Sequence, residues 1–279
     1  MSRRQFMQAF GLAALGIAGA GTLAGCSGGS GSSSASKLET IKSRGKLKAG
    51  VKKDVIGYGY LNTSTKEYEG LEIDLCYQVA AAVLGVSYEE AKEQKLVEFT
   101  DVTPKTRGPL IDNDQLDIVC ATYTITEDRK KDWDFTTPYR VDHVGILVKK
   151  AAGMKTMADL DGKIIGVSQG STTKDMVLGM LKDEGISATP TFQEFPDYPS
   201  IKSALDAGNV DAFAMDRSTL KAYTTDDCEL LQPEIEFGPQ EYGIATKKGS
   251  DLSKVCDETV VELLDNGWMD EEIAAWGLL

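Results

Sequence analysis

From residue 46 onward, short apolar runs alternate with longer stretches of helical period. KLKAGV (46–51) reads as a strand. GLEIDLCYQVAAAVLG then sets Leu75, Val79 and Val83 at helical spacing. VEFTDV, LDIVCATYT and HVGILVKK read as further strands. After residue 150 the alternation resumes: KIIGVSQ, then the helical TKDMVLGMLKDEG, TFQEF, PSIKSALDAG, VDAFAMD and RSTLKAY. It closes with YGIATKK and the helical DLSKVCDETVVELLDNG. Two strand–helix series predict α/β architecture with mainly parallel sheets, in two lobes that divide near residue 141. Ligands of such sheets bind beyond the carboxyl ends of the strands, which here places them in a cleft between the lobes.

The start of the chain follows another pattern. Residues 1–25 carry Arg3-Arg4 and then a glycine-interrupted apolar run, the outline of a secretory signal. SRRQF also resembles a twin-arginine export signal. LAGC ends at Cys26 and resembles the bacterial lipobox, which implies a lipidated Cys26 and a membrane anchor. Residues 26–37, SGGSGSSSAS at their heart, then read as a flexible tether. Without the first 25 residues the formal charge moves from −13 to −15, because two arginines and no acids are lost. An acidic chain lacks the basic face that nucleic acid requires. One histidine, His143, speaks against a His-based metal site or triad. Cys76, Cys120, Cys228 and Cys256 show no CxxC spacing, and Cys76 and Cys120 sit in apolar runs as small hydrophobes.

Candidate chemistry concentrates in TYTITEDR (122–129). In a strand, Thr122, Thr124 and Thr126 would share one face, with Arg129 just beyond. Hydroxyls and a guanidinium suit a carboxylate or phosphate guest. Thr126 is placed to cap the helix whose first turn holds Arg129. GSTT (170–173) lies where a strand meets a helix N-terminus, a favourable seat for an anion. Asp216 ends the strand VDAFAMD.

YEGLEIDLC, TRGPLIDNDQLDIVCATYTITEDRKKDWDFTTPY, GKIIGVSQGSTT, VDAFAMD and YGIATKKGSDL occur in an order that resembles the bacterial extracellular solute-binding proteins, family 3. The resemblance covers residues 38–279. It implies a periplasmic-binding-protein-like fold of type II, with lobe 1 at 38–141 plus 242–279 and lobe 2 at 142–241. It implies an exported amino-acid receptor of an ABC importer, monomeric and cofactor-free, held outside the cell membrane by lipid and partnered by permease subunits. Arg129 would then take the ligand's α-carboxylate, Thr172 would grip it from lobe 2, Thr122 and Thr124 would offer head-group contacts, and Asp216 would hold the α-ammonium. Relatives that bind cationic or amide side chains carry an aspartate where this chain has Lys52, and an aromatic residue where it has Val55. Arg107 matches the arginine that acidic-amino-acid binders place on the side-chain carboxylate. Lys52 and Arg107 therefore imply glutamate or aspartate, with Tyr58 or Tyr60 as a remaining wall. The alternatives are a glutamine- or asparagine-binding member, or a cyclohexadienyl dehydratase on the same fold.

Overall fold

The computed structural model describes residues 36–278. The expected signal peptide, lipidated Cys26 and most of the tether lie outside the described residues. Ser36 opens the first helix, Lys37–Arg44, by accepting from the Glu39 amide and donating to Asp251.

Two sheets carry the molecule. In the first, Leu47–Val51 lies between parallel Val97–Asp101 and Ile118–Val119. Ala245–Lys247 returns from far along the chain to pair antiparallel with Ile118–Val119 and with Trp133–Phe135. In the second, Ile164–Ser168 lies between parallel Thr191–Phe195 and Ala212–Asp216. Arg140–Lys149 then pairs antiparallel with Ala212–Asp216, Cys228–Leu230 and Phe237–Tyr242. Both sheets are thus mixed rather than mainly parallel. The antiparallel half of each lies at or beside the chain's crossings between the two, which short apolar runs cannot reveal. A small sheet of Asp54–Val55, Gly59–Leu61 and Tyr68–Glu69 sits beside the first.

Helix Leu71–Leu84 forms where the periodicity predicts it. It buries Leu75, Cys76, Val79 and Val83 against the first sheet and against Cys256, Val260 and Leu263 of helix Leu252–Asp265. Gly70 precedes it at φ 129, with the Tyr58 carbonyl only 2.2 Å from where a Cβ would stand. No other residue fits there. Helices Thr173–Asp183, Tyr198–Ala207 and Arg217–Tyr223 pack on the second sheet. Cys76, Cys120, Cys228 and Cys256 are free and buried.

The chain crosses between the sheets twice, on neighbouring strands: Arg140 pairs with Tyr242, Val141 with Glu241 and Asp142 with Gln240. Across the gap Arg129 Nη2 donates to the Gly170 carbonyl at 3.1 Å. The Tyr223 hydroxyl donates to the Asp54 carbonyl at 2.7 Å, and Lys105 Nζ to Gln169 Oε1 at 3.4 Å. The two lobes are closed on each other.

Candidate functional site

Four strand ends converge on one spot. Lys52 follows Val51, Thr122 lies three residues past Val119, the Gln169–Thr172 loop follows Ser168, and Asp216 ends its own strand. Between them lies a narrow cavity lined by Arg107, Thr122, Thr124, Thr172, Tyr198 and Asp216, among others. With the lobes closed, the free space in it is only about 10 Å³, room for about one water, so an amino acid must part these side chains to enter. Five of the seven expected binding residues therefore line one cavity, while Lys52 and Arg129 are not part of its lining.

The expected three-threonine strand face does not form. The strand is only Ile118–Val119, and Thr122 adopts φ 42, a left-handed conformation that a β-branched residue rarely takes. Two charged side chains hold it there. Glu72 Oε1 accepts from the Thr122 amide at 2.5 Å, and Arg107 Nη1 donates to the Thr122 carbonyl at 3.1 Å and to Ala121 at 2.5 Å. Such strain costs about 1–3 kcal/mol and persists where the surroundings enforce it. Thr126 takes its expected place, accepting from the Arg129 amide at 3.1 Å.

Both lobes' threonines meet at one residue. Thr124 and Thr172 donate to the same oxygen, Gln240 Oε1, at 2.6 and 2.7 Å. The Gln240 amide nitrogen turns to the Gly238 and Pro239 carbonyls. A ligand that uses either threonine as a donor must draw it away from Gln240.

Cations dominate one end. Arg107 and Arg129 both lie over the Tyr123 ring, at 3.7 and 4.9 Å. Burial first, then the Arg107 charge, holds Arg129 down to about 10. Lys52 is 1 % exposed, 3.3 Å from Asp54 and 4.3 Å above the Tyr198 ring. Burial lowers its pKa, partly offset by Asp54 and reinforced by Arg107. Lys52 therefore does not point into solvent. Arg107 Nε is buried without a partner among the described residues. Glu72 faces this group, fully buried, with Oε2 likewise unpartnered and its carboxyl pushed up by burial.

Opposite them, Asp216 accepts from the Tyr242 hydroxyl at 2.5 Å. Burial and the Asp142 carboxylate push it up to about 7, against the pull of Tyr242, Arg107 and Arg129.

The Pro-flanked Tyr198 of FPDYPS is the aromatic residue on the cavity; neither Tyr58 nor Tyr60 lines it. Glu72 had a visible signal, an acid inside an apolar helix. Gln240, Asp142 and Tyr242 had none, since only the paired linking strands bring them here.

The family model of the bacterial extracellular solute-binding proteins, family 3, matches residues 47–278. This chain belongs to that family. The ABC transporter glutamine-binding protein GlnH of Bacillus subtilis is 32% identical to it over 242 residues, 86% of this chain and 84% of that one. The glutamate-binding protein GluB of Corynebacterium glutamicum is 30% identical over 212 residues, 73% of this chain and 68% of its own. An ancestral arginine-binding protein bound to arginine superposes with a TM-score of 0.70 at 30% identity, covering 84% of this chain and 98% of that one. The two-lobed α/β fold of this solute-binding protein is thereby shared with amino-acid receptors. Their names span amide, acidic and cationic side chains.

Proposed function

We propose that this solute-binding protein is the exported amino-acid receptor of an ABC importer, and that its ligand is glutamate or aspartate. The observation that carries the acidic ligand is Arg107: a buried guanidinium on the cavity wall, with Nε unpartnered among the described residues and the buried Lys52 ammonium near enough to be repelled by it. Glu72 and Asp54 meet only part of this positive charge, and a side-chain carboxylate would match the rest. An amide leaves part of the cationic field unmatched, and a lysine or arginine ligand is repelled.

Asp216 would hold the α-ammonium, while Arg129 and the threonines would take the α-carboxylate. For this Arg129 exchanges the Gly170 carbonyl for the ligand. The lobes, at 38–141 plus 242–279 and 142–241, would close on the ligand and present it to a permease, with Cys26 as the lipid anchor. A glutamine- or asparagine-binding receptor is the second reading. The Asp54 carboxylate at 3.3 Å from Lys52 favours it, by cancelling part of the positive charge.

Competition calorimetry against glutamate, aspartate, glutamine, asparagine, lysine and arginine decides between them. The expected order sets the two acids above the two amides, with the cations undetected. Preference for an amide would remove the acidic ligand and leave the receptor.

A further inference from the structure

Behind the cavity, five side chains form a hydrogen-bonded chain that reaches from Asp216 to the opposite lobe. The Tyr242 hydroxyl donates to Asp216 Oδ2 at 2.5 Å and lies 3.4 Å from Asp142 Oδ2. Asp142 Oδ2 also accepts from the Ser218 hydroxyl at 2.5 Å and the Ser218 amide at 3.2 Å, while Oδ1 accepts from the His143 amide. Ser218 Oγ lies 3.1 Å from the Tyr58 hydroxyl, and Tyr58 meets Tyr242 edge-on with ring centres 5.8 Å apart. Asp142 and Tyr242 stand on the two strands that link the sheets.

Counting protons gives the chain a direction. The single hydroxyl proton of Ser218 is committed to Asp142, so Tyr58 must donate to Ser218. Tyr242 has one proton and two carboxylates within reach, and gives it to Asp216. A proton taken up by Asp216 would free the Tyr242 hydroxyl to turn towards Asp142, where it competes with Ser218 for the same oxygen.

We propose that Asp142 is a positioning residue for ammonium recognition, acting on Asp216 through Tyr242 and holding Tyr58 across the closed cleft through Ser218. The inference rests on Asp216 meeting the ligand's ammonium. The charge of the site and the closure of the cleft then share one hydrogen-bonded unit. The groups that face Asp216 are Arg107 and Arg129 from their helices, Tyr198 from the helix it opens, Asp142 from Arg140–Lys149, and Tyr242 from Phe237–Tyr242. Asp142 raises the proton affinity of Asp216 and the Tyr242 bond lowers it. The ammonium needs the carboxylate ionised. Its contribution is therefore present above the ligand-free pKa of Asp216 and lost as the pH falls through it.

The test is titration calorimetry with glutamate and with glutamine from pH 5 to 8, on wild type, Asp142→Asn, Tyr242→Phe and Tyr58→Phe, with dissociation rates by stopped flow. The acid limb of affinity is expected to move down by about half a pH unit or more in Asp142→Asn and up by a similar amount in Tyr242→Phe. Tyr58→Phe should leave the limb in place and speed dissociation roughly threefold or more. A uniform loss of affinity with the limb unmoved in Asp142→Asn and Tyr242→Phe, or movement of both the same way, overturns the inference alone. If Asp142→Asn does not fold, an unmoved limb in Tyr242→Phe overturns it and an upward one supports it. Wild type that binds no amino acid at all removes the receptor reading and this inference with it.

Discussion

Arg107 spends Nη1 on the carbonyls of Ala121 and Thr122, so it both shapes the cavity wall and charges it. Its removal should act on all ligands through the wall, and on acidic ligands additionally through the charge. In Arg107→Gln the preference for glutamate over glutamine should therefore shrink by roughly tenfold, about 1.4 kcal/mol, beyond any loss common to both. Lys52→Gln should shrink it less, because Asp54 already meets that ammonium. A competition titration in which both ligands weaken equally would remove the two cations from selectivity. Asp216→Asn discards a charge-assisted contact of about 1.5–3 kcal/mol, and should weaken every amino acid at least tenfold by calorimetry. Charged residues in recognisable stretches were legible in the sequence at this scale. Their counter-charges were less so: Asp54 is two residues from Lys52 yet unremarkable in DVIGYG, and Gln240 lies 116 residues from the threonine it binds.

Among the elements, the short helix Arg107–Asp112 is the one whose placement matters most, since it aims Arg107. Gly108 lets it lie against Trp133: a Cβ there would stand 2.4 Å from the indole ring. The indole is itself pinned by donating to Asp112 at 2.9 Å. Gly108→Ala should overpack this contact and cost about 1–3 kcal/mol. That is a fall in Tm of about 2–4 °C per kcal/mol for a chain of this size, measurable by calorimetric melting. An unchanged Tm would show that the helix can shift freely. Helix Leu71–Leu84 was legible because its apolar spacing and flanking glycines agree. LDIVCATYT misled: its β-branched and aromatic residues suit a strand, but Glu72 and Arg107 clamp the Thr122 peptide out of one. Local propensity cannot register a clamp supplied by two other helices.

For the whole molecule, closure is set where the lobes touch. Gly170 presents its carbonyl to Arg129, and at φ 78 a Cβ would come within 3.0 Å of the Lys105 backbone on the opposite lobe. Gly170→Ala should disfavour the closed form and weaken binding, chiefly through faster dissociation. Its left-handed strain adds a smaller loss of stability. Stopped-flow dissociation unchanged from wild type would show that this contact does not limit closure. Anchoring is a separate prediction at the same scale: in the full precursor, Cys26→Ser should release the protein from the membrane fraction without altering ligand affinity. The two-lobed plan was legible from alternation alone, whereas the two crossings came only with the family resemblance, because nothing local marks a strand that pairs with a segment a hundred residues away. Those crossings also govern how the chain is assembled as it is delivered from its N-terminus. Every strand of the second sheet lies between residues 140 and 242, whereas the first sheet waits for Ala245–Lys247 to slot between Ile118–Val119 and Trp133–Phe135. The middle of the polypeptide can finish folding before its beginning does. Until Ala245–Lys247 arrives, the edge of Ile118–Val119 stays open to wrong partners, so the half that emerges first is the half that stays vulnerable longest.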